Sequence, residues 1–178
     1  MNGKSESESL RILLGEFLQK EHIKKTLRFL SENKIYGCEK WFQIEFMRFL
    51  FENENVVSDE ICKEEECDYD KRKEFDYVKQ RIDLTFRIKN KQYYHAIELK
   101  HKHCFSISSI EEDLAKLDRA KPSQKEYFRK IFSVLLHPFV GDDKIKNKLR
   151  RREFADKFEF SIKIPTANLS CSVFSAEI

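Results

Sequence analysis

The sequence predicts an α/β protein, a mixed sheet covered by helices. Three observations point there: helical apolar spacing near the N-terminus, an alternating strand pair over residues 81–100, and further strand-like segments towards the C-terminus. A chain of 178 residues suits one domain and can bury a real core. It has 16 Phe but only 4 Gly and 3 Pro, which argues against a loop-rich or disordered chain.

Residues 8–31 carry Leu10, Leu14, Phe17, Leu18, Ile23, Leu27 and Leu30, helical spacing in two pieces. "SENKIYGC" interrupts it, and "EKWFQIEFMRFLFEN" predicts a second strong helix over residues 39–53, apolar almost all round and therefore largely buried. Residues 54–76 are first acidic, then basic, and read as a solvated connection with room for a short helix or strand. "RIDLTFRI" then alternates. Ile82, Leu84, Phe86 and Ile88 take one face; Asp83, Thr85 and Arg87 take the other. "KNKQ" turns the chain into the strand "YYHAIELK".

"SSIEEDLAKLDRAK" begins with a capping box, Ser109 as N-cap and Glu112 three residues on, with Ile110, Leu114 and Leu117 as its apolar stripe. "YFRKIFSVLLHP" predicts a buried strand ended by Pro138. "KIKNKLRRREFAD" is a basic helix, and "KFEFSIKI" and "SCSVFSAEI" are closing strands. No internal repeat is visible. The chain, residues 1–178, reads as a single domain: a helical extension over 1–35, a core over 37–137, and the basic helix with closing strands over 138–178.

A net charge of +3 is too mild to announce a nucleic-acid binder, so any basic surface has to be local. No window approaches the roughly 18 apolar residues of a membrane span, and "MNGKSESESL" lacks an apolar signal core, so a cytoplasmic protein with no membrane partner is expected. Five cysteines without an export signal predict reduced thiols. Cys62, Cys67, His103 and Cys104 could be assembled into a zinc site on paper. The first spacing is looser than the usual pair and no second tight pair follows, so buried or idle thiols are the better reading.

The chemistry concentrates in the strand pair. A turn centred on Asn90-Lys91 would make Asp83 and Glu98 direct cross-strand neighbours, with Cβ atoms about 4.5–5.5 Å apart. Lys100, two residues beyond Glu98, points to the same face. Opposed carboxylates repel unless something positive lies between them. A divalent metal with oxygen ligands would serve, and Lys100 could then hold a water or steady developing phosphorane charge. Lys100 acting as counter-ion to both acids is the bland alternative. Glu45 lies in the middle of the apolar helix and needs a partner. Either Arg48 at i+3 or a metal shared with Asp83 and Glu98 would supply one.

Glu45 on a helix, Asp83 at a strand start and Glu98-Leu99-Lys100 at the end of the next strand together resemble the PD-(D/E)XK nuclease superfamily. The resemblance spans roughly residues 37–137, and the Pro of the family motif is Ile82 here. It implies a restriction-endonuclease-like mixed central sheet flanked by helices. It also implies hydrolysis of a phosphodiester by a metal-activated water, endonucleolytic rather than exonucleolytic. Asp83 and Glu98 would bind Mg²⁺ or Mn²⁺ with the Leu99 carbonyl, Glu45 would support the metal directly or through water, and Lys100 would position the attacking water.

His101 and His103 follow the motif. One could protonate the leaving oxygen, although histidines past a strand end are more often solvated. Lys144, Lys146, Lys148, Arg150, Arg151 and Arg152 form a run without an acid, suited to sequence-independent phosphate contacts or simply to a solvated helix face. Lys121, Lys125, Arg129 and Lys130 could extend that surface, and Tyr93 and Tyr94 could stack on bases. The expected partner is nucleic acid, DNA ahead of RNA. A twofold homodimer would place two sites for a double-strand cut, using the apolar stripe of residues 8–31 if that stripe does not pack on the domain. The rival function is a catalytically inactive nuclease-fold module that binds nucleic acid or a protein.

Overall fold

The computed structural model describes residues 5–67, 80–105, 108, 110–111, 128–150 and 155–177. Helix α1 (Glu6–Gln19) starts at Ser5, whose side chain accepts the Glu8 N–H at 3.2 Å. Lys20 breaks from helical geometry and α2 (Glu21–Glu32) follows, burying Ile23, Leu27 and Leu30 at helical spacing. Gly37, with φ of 75°, turns the chain into α3 (Glu39–Glu52). Phe17 of α1 packs its ring against Phe42, Phe46 and Phe49 of α3, with centroids 5.1–5.8 Å apart.

The strands are β1 (Cys62–Cys67), β2 (Gln80–Arg87), β3 (Tyr94–His101), β4 (Phe128–Pro138), β5 (Phe158–Ile164) and β6 (Leu169–Glu177). They form one mixed sheet in the order β1-β2-β3-β4-β6-β5. Among the described residues, only β3 and β4 pair in parallel. A parallel pair needs a crossover, and Ile110 of that connection is buried. The expected cap at Ser109 and the stripe positions Leu114 and Leu117 lie outside the described residues. Helix α4 (Asp142–Arg150) follows β4.

Each face of the sheet carries its own core. Helices α1, α2 and α3 cover Leu84, Phe86, Ile97, Leu99, Phe132, Val134 and Leu136. On the other face, Ala96, Ile131, Leu135, Phe174 and Ala176 pack with Ile145 and Leu149 of α4, Phe105 and Ile110. This is the expected α/β arrangement, a mixed sheet flanked by helices.

Two expectations change. The stripe of residues 8–31 lies inside the main core, so it is no extension and is not available to a second subunit. Helix α3 is one-sided, since Ile44 and Phe51 are about half exposed, at 49% and 51%. Among the described residues, no helix is long and apolar enough to cross a membrane.

Candidate active site at a fork between two strands

The β2–β3 ladder keeps the register that a turn centred on Asn90-Lys91 predicts: Arg87 faces Tyr94, Phe86 faces His95, Thr85 faces Ala96 and Leu84 faces Ile97. Asn90 sits in the left-handed region, φ 65°, which an Asn tolerates. Beyond Leu84–Ile97 the two strands part. β2 continues on β1 through Glu65–Ile82, while β3 continues on β4 through Glu98–Ser133, Leu99–Val134 and Lys100–Leu135. Ile82 also leaves the face of Leu84 and Phe86 and joins the opposite core, against the alternation expected for β2. Asp83 stands where the fork opens.

A fork strands the backbone groups of β3 that β2 would have paired. In an unbroken ladder the Leu99 N–H would meet Ile82; here it donates to Asp83 Oδ2 at 2.8 Å. One strand period on, the His101 N–H donates to Glu39 Oε1 at 3.0 Å, and the His101 carbonyl accepts from the Gly37 N–H at 3.4 Å. The first turn of α3 thus takes over the edge that β2 gave up. Gln43, one helical turn after Glu39, donates through Nε2 to the Asp83 carbonyl and ties the helix to the fork. A strand residue points its N–H and C=O the same way, so the Leu99 carbonyl faces this gap between the Asp83 and Glu39 carboxylates.

Glu98 and Lys100 alternate with the core residues Ile97 and Leu99. They therefore project from the opposite face, the one that α4 covers, and both are partly exposed. Lys144, Lys146, Lys148 and Arg150 are exposed on α4, while Ile145 and Leu149 anchor it to that face. Arg151 and Arg152 lie outside the described residues. The charge order of α4, Asp142 and Asp143 first and Lys148 and Arg150 last, also suits the helix dipole.

Glu45 does not join the fork. Two residues from Gln43 means a rotation of about 200° on a helix, and Glu45 faces α1 and α2 instead. There its Oε2 lies 3.4 Å from His22 Nε2, beside Phe17, Lys20 and Phe49. Arg48 is not its partner either, since it pairs with Glu52 at 3.3 Å. Glu39 is the helix carboxylate at the fork, and sequence reasoning missed it. The available signal was the i, i+4 pair Glu39 and Gln43 directly after the Gly37 turn.

His101 is buried rather than solvated, packing edge-on to Tyr36, and burial lowers its pKa against the opposing pull of Glu39. His103 is exposed. Tyr93 and Arg129 lie at the other end of β3 and β4, where Arg129 sits over the Tyr93 ring at 5.1 Å and Lys130 pairs with Glu159 at 3.0 Å. They do not extend the α4 surface. Lys121 and Lys125 lie outside the described residues.

A divalent cation at the freed Leu99 edge would meet hard oxygens: the Asp83 and Glu39 carboxylates, each bonded to a β3 N–H, and the Leu99 carbonyl. That donor set suits Mg²⁺ or Mn²⁺ rather than zinc. Among the described residues, no three His, Cys, Asp or Glu side chains already converge as a metal cluster. Mg²⁺ is commonly held by one or two carboxylates with water completing its shell, so a preformed three-ligand cluster is not required for it. Cys62 and Cys67 stand at opposite ends of β1. Comparison with protein-family models, curated proteins and solved structures finds no match.

Proposed function

We propose that the fork is the active site of a metal-dependent nuclease with a restriction-endonuclease-like core, acting on DNA ahead of RNA. The observation that supports this reading is the parting of β2 from β3 after Leu84–Ile97, which frees the β3 edge at Leu99 between the Asp83 and Glu39 carboxylates, with Glu98 and Lys100 on either side of Leu99 in the strand. Asp83 is fixed by the Leu99 N–H through one carboxylate oxygen and keeps the other for a cation. Glu98 contributes the second carboxylate. A bound divalent ion would supply Lewis acidity toward a phosphoryl oxygen and lower the pKa of a coordinated water.

Lys100 shares a β3 face with Glu98, so its ammonium can orient the attacking water and balance charge that develops on the phosphorus oxygens. Glu39 holds the strand edge beside them. The exposed cations of α4 lie on the same sheet face and would draw in the phosphate chain without reading sequence.

The test is cleavage of mixed DNA and RNA substrates with Mg²⁺ or Mn²⁺, comparing wild type with Asp83→Ala and Lys100→Ala. Cleavage that falls at least about a hundredfold in both variants supports the proposal. Cleavage surviving in both sinks it. A second reading, a non-catalytic module with the same fold, draws on the fact that Asp83 and Glu39 already serve as caps for strand N–H groups. No cleavage from any form, with fold and cation binding intact, would favour that module.

A further inference from the structure

Ser133 lies in the middle of β4, fully buried, and its hydroxyl is among the buried polar atoms without a hydrogen-bond partner. Ile131 and Leu135, its neighbours along the same strand face, belong to the α4-side core and offer no acceptor. On one side it pairs with Phe174 of β6, which offers none either. On the other side it pairs with Glu98. Of these four neighbours only Glu98 carries an acceptor side chain, and Ser172, diagonally across on β6, is engaged with His137 and Ser161. Strand alternation puts Ser133 and Glu98 on the same face of adjacent strands, about 4.8 Å apart.

Packing alone does not call for a serine here. An unbonded hydroxyl in a core is worse than a methyl of similar shape, and Ala96 and Ala176 fill the same face without one. Carboxylates that hold metal ions are commonly themselves hydrogen-bonded, and that second contact fixes which oxygen faces the ion. We propose that Ser133 is a positioning residue whose Oγ–H donates to the Glu98 carboxylate when a divalent cation occupies the fork. This inference rests on the fork being a cation site.

The experiment is calorimetric titration of the full chain with Mn²⁺ alone, for wild type, Asp83→Ala, Ser133→Ala and Ser133→Thr, with metal-free melting curves for each. The expected result is Mn²⁺ binding by wild type that weakens about tenfold in Ser133→Ala and recovers in Ser133→Thr. Ser133→Ala should melt no lower than wild type without metal, because it gives up no hydrogen bond. Equal affinity in wild type and Ser133→Ala would overturn the inference and leave the site standing. A metal-free melting point lowered by several degrees in Ser133→Ala would also overturn it, by making the serine structural. If wild type binds Mn²⁺ no better than Asp83→Ala, the cation site and the inference both fall.

Discussion

The two ends of the β2–β3 pair are both rich in charge, yet they are built differently. At the turn end, charges find partners that complete the fold. Arg87 makes a two-pronged bond to Glu60, and its third contact is the Lys91 carbonyl at 3.0 Å. Burial pushes the Glu159 carboxyl up, but hydrogen bonds from Ser175, Ser7 and Lys130 and the Lys130 charge outweigh it and hold the carboxyl below its usual range. At the fork end, carboxylates cap a strand edge that has lost its neighbour, and a buried hydroxyl stands beside Glu98 without a partner. Charge density alone does not mark a site. In the proposed reading, an interrupted ladder with acids at the break does.

The comparison breaks most visibly with pH. His95, at the turn end, is fully buried between Phe86 and Phe132. Burial drives its pKa down to about 4, opposed by a contact with the Glu6 carbonyl and reinforced by the Lys91 charge. The unfolded chain takes up this proton near pH 6.5 and the folded chain only near 4. The associated stability is therefore complete above pH 6.5 and is lost as pH falls towards 4, by up to about 3 kcal/mol. Denaturant melts of wild type and His95→Phe between pH 7 and 4 should show a shallower decline in the variant. Parallel declines would mean that His95 does not serve the fold in this way.

A smaller effect separates the two helix carboxylates. Glu39→Gln keeps an acceptor for the His101 N–H but removes charge from the fork, and should slow metal-dependent cleavage about tenfold. Glu45→Gln, on the far side of α3, should stay within about twofold of wild type. Rates measured at saturating Mg²⁺ would decide it, and the reverse order would return Glu45 to the site.

Much of the fold was legible because its signals are local. Period-2 and helical spacing placed most of the described helices and strands close to their observed bounds, β1 excepted, and the turn at Asn90 set the register of Arg87–Tyr94 to Leu84–Ile97, which stops one pair short of the expected Asp83–Glu98 neighbours. The pairing of β3 with β4, the departure of β2 and the shift of Ile82 to the opposite core were not legible, since they depend on which strand each edge meets. Glu45 misled because a largely buried charge on an apolar helix calls for a partner without saying which element supplies it, here His22 of α2. The side it faced was set by Gln43, whose tie to Asp83 no helical pattern announces.

The most direct test of the fork as a cation site is a crystal structure of the protein grown or soaked with Mn²⁺, with anomalous scattering recorded. The account predicts a peak within bonding distance of the Asp83 and Glu98 carboxylates, with the Leu99 carbonyl as a third ligand. A fork without a peak at saturating Mn²⁺, or a peak held by Glu45 and His22 instead, would contradict it.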